Sequence, residues 1–97
     1  MEPDERELEV RAFEHYLRNE LEVATELYLD LVERSPLDAR YHYYLGNCLA
    51  KRGNTEQAIR CWKRVVLIDP LTSLGRRAAA RCDRSSRLQG RAKASDA

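Results

Sequence analysis

The chain has 97 residues, 43% of them hydrophobic and 34% charged, with only four glycines and three prolines. So short a chain buries little of its surface, which favours a binding face over an enclosed catalytic pocket, and the scarcity of helix breakers points to a mostly helical domain. The formal charge of +1 hides a division: residues 1–35 hold eleven acids and four bases, while 36–97 hold five acids and thirteen bases, a polarity suited to stacking copies head to tail or steering a charged partner.

Apolar residues at three- and four-residue spacing predict helices near 4–18, 20–34, 39–52, 55–68 and 73–88. The acidic start "MEPDE" lacks the basic and then apolar run of a signal peptide. The first helix ends at "RNELE", where Asn19 stands three residues before Glu22 at capping-box spacing and is expected to cap the second helix. That second helix, striped by Val23, Leu27 and Leu31, stops at "SPLD", where Pro36 breaks it and Asp38 caps the next. In the third helix sits Gly46, at a cost of about 1 kcal/mol relative to alanine. "RGNTEQ" then repeats the earlier break, with Asn54 as the expected cap of the fourth helix, which carries Ile59 and Val66. "DPLT" ends the fourth helix, and Thr72 caps the fifth. The basic segment 89–97 is expected to be a disordered tail. The longest purely aliphatic run is Val65 to Ile68, too short for a membrane span. Cys48, Cys61 and Cys82 include no C-x-x-C pair, and neither they nor His15 and His42 have metal-ligand spacing. Helix packing is therefore their expected role, in a cytoplasmic protein without metal or cofactor.

Shifted along itself by 34 residues, the sequence matches: Ala24 falls on Ala58, Tyr28 on Trp62, Leu31 on Val65, Pro36 on Pro70, and Ala12 on Gly46 and then Ala80. Each unit reads as a helical hairpin. Gly46 is expected where the two helices of its hairpin cross, opposite Ala58, because a missing side chain there lets backbones approach. Trp62 and Tyr28 are expected to fill the space between one hairpin and the next.

The second unit, with His42, Leu45-Gly46, Leu49, Gly53, Ala58, Trp62, Val65 and Pro70, resembles the tetratricopeptide repeat, although His42 and Leu49 stand where that family prefers tryptophan and tyrosine. The first unit follows the pattern less closely, with Leu8, Ala12, His15, Ala24, Tyr28, Leu31 and Pro36. The resemblance implies an all-α short solenoid over 1–88, with repeats at about 5–38 and 39–72 and a capping helix at about 73–88. It also implies a concave side, lined by the first helix of each hairpin, that holds a peptide or helix. Arg6, Glu9, Phe13, Tyr16 and Leu17, then Arg40, Tyr43, Asn47 and Lys51, then Arg77, Arg81 and Arg84 are the residues it implies there. Phe13, Tyr16, Arg40, Tyr43, Asn47, Arg77, Arg81 and Arg84 form the expected partner-binding set, since aromatics beside arginine anchor protein interfaces.

The family's clamp for a chaperone's terminal carboxylate finds Glu9, Phe13, Tyr44, Leu74 and Ala78 at its positions, none of which supplies the cation or amide required. Short members also resemble secretion chaperones that hold a subunit's helix. A nucleophile, base and orienting group at telling spacing are missing, so an adaptor is expected, not an enzyme. Nucleic-acid binding by the basic segment Gly75 to Lys93 is the alternative. No aromatic interleaves its arginines, and the acidic first half would repel phosphate. The arginine stripe suits an acidic or amphipathic helix, and the acidic early helices of a second copy of the chain would qualify.

Overall fold

The computed structural model describes residues 3–95, with side chains through residue 90. Five helices follow one another: α1 (Glu5–Leu17), α2 (Leu21–Arg34), α3 (Ala39–Lys51), α4 (Thr55–Ile68) and α5 (Ser73–Ser95), with no strand among the described residues. Neighbours in the chain are neighbours in space, and the array measures 53 × 29 × 19 Å. This is the all-α short solenoid that the repeat implied.

Capping residues set most of the boundaries. The Asp4 carboxylate accepts from the Glu7 amide at 2.8 Å and the Asp38 carboxylate from the Arg40 amide at 3.1 Å. Thr72 Oγ1 accepts from the Gly75 amide at 3.0 Å, as the "DPLT" break foretold.

The turns inside the hairpins correct the reading of the asparagines. Asn19 does not cap α2. It adopts φ 62°, and its amide donates to the Tyr16 carbonyl while the Glu20 amide donates to His15. That is a Schellman stop to α1, and Gly53 makes the same stop to α3 at φ 87°, with its amide on Ala50 and that of Asn54 on Leu49. Asparagine tolerates the left-handed region better than most side chains, so it substitutes for glycine here. Asn54 does occupy the N-cap of α4, but its side chain makes no capping bond.

The core is one cluster that includes Leu8, Ala12, Ala24, Tyr28, Leu31, Leu45, Cys48, Ala58, Trp62, Val65 and Ala78. α3 is its centre: Tyr41, His42, Tyr43, Asn47 and Leu49 are all buried along with Leu45 and Cys48. His42 Nε2–H donates to the Pro36 carbonyl at 2.7 Å and ties α3 to the preceding turn. Glu5 ties the same region to α1, accepting from Ser35 Oγ and from the Tyr41 hydroxyl.

Gly46 is needed, but its partner differs from expectation. A β-carbon there would lie 2.6 Å from Trp62 Nε1 and 2.8 Å from its Cδ1, closer than any atom of Ala58. Trp62 thus lies against the flank of α3 in its own hairpin as well as under α5. Gly75 is a second such position: a β-carbon would run into the Asp69 carbonyl oxygen, so the start of α5 presses directly on backbone.

α5 runs past the predicted boundary at Leu88 to Ser95. Its continuation through Arg91, Ala92, Lys93 and Ala94 consists of strong helix formers, and they outweigh the single Gly90. Of the segment expected as a tail, residues 96 and 97 lie outside the described residues. No described helix is long and apolar enough to cross a membrane.

Candidate functional site

Three helices, α1, α3 and α5, line one side of the array, and their side chains meet there. α1 supplies Phe13 and Tyr16, α3 supplies Tyr43 and Tyr44, and the rings form a connected cluster. Tyr44 is its hub, with ring centroids 5.4 Å from Phe13, 5.2 Å from Tyr16, 5.7 Å from Tyr28 and 5.4 Å from Tyr43. Edge-to-face pairs dominate, as ring quadrupoles prefer. Phe13, Tyr28 and Tyr44, with Glu9, Arg40 and Tyr41, line a cleft of about 210 Å³.

At the other end a groove of about 460 Å³ is lined by Tyr43, Trp62, Arg77, Arg81 and Arg84, with Ala50, Ala80 and Ser85. Arg81 Nε–H donates to the Tyr43 hydroxyl at 3.0 Å, and its guanidinium lies 5.6 Å from the Tyr43 ring centroid and 5.9 Å from that of Trp62. This fixes the planar group while leaving both of its Nη groups available. Arg77 and Arg84 are exposed, and neither makes a hydrogen bond or ion pair among the described residues. The Arg77 charge faces the Tyr44 phenol, where it partly offsets the burial that pushes that group's pKa up.

The expected partner-binding residues therefore divide. Phe13, Tyr16, Arg77, Arg81 and Arg84 share the lined side. Tyr43 is only 5% exposed, and a buried ring does not offer itself as an anchor; its hydroxyl orients Arg81. Asn47, 3% exposed, is also structural: its Oδ1 accepts from Trp62 Nε1 at 3.1 Å and its Nδ2 donates to the Tyr16 hydroxyl at 3.3 Å. Arg40 is engaged within the chain, by Glu9 at 2.7 Å and Asp38 at 2.8 Å. Its hydrogen bond holds the Asp38 carboxyl below the usual carboxylate range.

Tyr44 was missed as a surface residue. Its signal was the spacing from Arg40 to Tyr44 to Lys51, four and then seven residues, in which Tyr44 and not Tyr43 continues the outward face. Lys51 closes that stripe, with its Nζ 4.8 Å from the Tyr16 ring centroid.

Burial pushes the thiols of Cys48, Cys61 and Cys82 up, away from the reactive thiolate. Among the described residues no group of three or more His, Cys, Asp or Glu side chains could hold a metal ion.

Residues 39–72 match the family model of the tetratricopeptide repeat. The match begins with the first residue of α3 and ends at Thr72, the cap of α5, so it spans the whole second hairpin. The chain matches no curated protein.

Proposed function

We propose, from the premise of the tetratricopeptide-repeat match over residues 39–72, that this chain is a non-catalytic adaptor that holds an acidic, amphipathic helix or peptide on the side lined by α1, α3 and α5. Such repeats generally mediate protein–protein interaction. The observation that supports this ligand is that the ring-lined cleft and the arginine groove adjoin through the Tyr43–Tyr44 ring pair, 5.4 Å between centroids. Phe13, Tyr16 and Tyr44 offer apolar rings, and Arg77, Arg81 and Arg84 follow one stripe of α5 with Arg81 held in place by Tyr43. A helix with leucines on one stripe and glutamates beside it meets both, by apolar contact at one end and charge-assisted hydrogen bonds at the other. A cytoplasmic setting fits the three unpaired cysteines.

The test is fluorescence anisotropy with a labelled Leu/Glu amphipathic helical peptide and with labelled duplex DNA, each at low and high salt. Phe13→Ala should weaken peptide binding about tenfold at both salts. Arg77→Ala with Arg84→Ala should chiefly slow association and flatten its salt dependence. Tight, steeply salt-dependent DNA binding that ignores Phe13 would overturn the adaptor reading in favour of phosphate contacts by α5.

A further inference from the structure

Among the described residues, none covers Val10 or Leu17 on the outward side of α1. Leu8 and Ala12 turn into the core, while Val10 and Leu17 stand 52% and 66% exposed on the far side. At about 100° per residue these two share one stripe, with Glu9 along one flank and Glu7 and Glu14 along the other. Open clefts border Val10 on both sides, one lined by Glu5, Glu9 and Phe13 with Arg6 and Arg40, the other by Asp4, Glu7 and Glu14 with Arg6 and Arg11.

The far end of the array presents the opposite surface. At 23 residues α5 is about 34 Å long, against about 21 Å for the 14 residues of α4. Its last turns therefore extend beyond the helix it packs on. Its exposed side carries Arg84, Arg87 and Leu88, the last 58% exposed, around a shallow cleft of about 410 Å³. Asp83 pairs with Arg87 at 2.8 Å but leaves the helix strongly basic, with seven bases to one acid, whereas Asp4 to Leu17 holds five acids and two arginines.

We propose that the projecting part of α5 docks on α1 of a second copy of this chain. Leu88 seats between Val10 and Leu17, and Arg84 and Arg87 face the flanking glutamates. Both surfaces are apolar at the centre and charged at the rim, and the net charges of the two segments are opposite in sign despite Arg6 and Arg11 on α1, which favours this pairing over α1 on α1 or α5 on α5. Because the two surfaces differ, the contact is heterologous, and its repetition builds a row of copies, not a closed two-fold dimer.

Sedimentation velocity on the full chain tests this, with two variants at exposed positions. Val10→Glu with Leu17→Glu disables the α1 surface, and Arg87→Glu with Leu88→Glu disables the α5 surface. Circular dichroism establishes that each is folded. Wild type should grow with concentration beyond twice the 11.3 kDa of one chain and shrink in high salt. Each variant alone should stay monomeric. An equimolar mixture should form a dimer and stop there, because only one good α1 surface and one good α5 surface remain per pair. A wild type that stays monomeric, a folded single-surface variant that still associates, or a mixture that stays monomeric overturns the proposal. The four positions lie outside the ring cluster and the arginine groove, so peptide binding by the same variants reports on that groove independently.

Discussion

Gly46→Ala adds one methyl group and tests the packing of the second hairpin. The new β-carbon would start 2.6 Å from Trp62 Nε1 and 3.2 Å from the Cys61 β-carbon. Ordinary contact needs about 3.5–4.0 Å, so the indole has to retreat by roughly 1 Å. It has little room, being 2% exposed and bonded at 3.1 Å to Asn47, which is itself buried. Overpacking costs about 1–3 kcal/mol, and a stretched bond from buried Asn47 adds about 1–3 more. The gain in helix propensity returns about 1 kcal/mol. A net loss of about 1–5 kcal/mol should remain, and each kcal/mol lowers the Tm of a domain this size by about 4–8 °C. Gly90→Ala is the control, since nothing lies within 4 Å of its added carbon and only propensity changes. Thermal melts by circular dichroism should show Gly46→Ala falling and Gly90→Ala unchanged or rising. If both rise together, the contact between Gly46 and Trp62 does not constrain the fold.

Gly75→Ala should destabilise more than Gly46→Ala, because its carbon meets the Asp69 backbone and not a side chain; limited proteolysis should then cut α5 first. Asn47→Ala should cost about 1–3 kcal/mol by leaving the Trp62 indole N–H unsatisfied in the core, measured by urea unfolding. Stability should fall at both ends of the pH scale. Asp38, held below its usual value chiefly by the hydrogen bond from Arg40, contributes stability that is complete above about pH 4 and is lost as pH falls through its folded value. Tyr28 and Tyr41, pushed up chiefly by burial, contribute stability that is complete below about pH 10 and is lost as pH rises through their folded values. Tyr28→Phe should flatten the alkaline limb of a urea-midpoint profile, and an unchanged limb would remove that residue from the account.

Helix number, order and breaks were legible in the sequence because each rests on local chemistry. Pro36 and Pro70 cannot continue a helix, Asp38 and Thr72 cap the next one, and the apolar stripes have helical period. Asn19 was misread because capping-box spacing and a left-handed helix stop both favour asparagine, and only the backbone at φ 62° separates them. Gly75 gave no signal at all, since its need arises from the approach of Asp69, a tertiary contact. The binding residues were half legible. Residue type marked Arg77, Arg81, Arg84, Phe13 and Tyr16 as surface groups. The burial of Tyr43, however, depends on Arg81 of α5 and that of Asn47 on Trp62 of α4 and Tyr16 of α1, and helical spacing alone leaves the edge of an exposed stripe undefined. The end of α5 was set too early because apolar periodicity fades after Leu88, although Arg91, Ala92, Lys93 and Ala94 are strong helix formers.

Arg81 rests on Trp62 and Tyr43, and both rings belong to the core that holds α3, α4 and α5 together. The floor of the arginine groove is thus the interior of the protein, with no intervening layer. A ligand held there by Arg81 binds the native chain and not the unfolded one, so occupancy at a hundred times its Kd would raise stability by about 2.7 kcal/mol. By the same linkage a substitution that loosens Trp62 weakens the ligand even though it never touches it. Since Trp62 is the chain's single tryptophan, its emission reports folding and occupancy through one and the same ring.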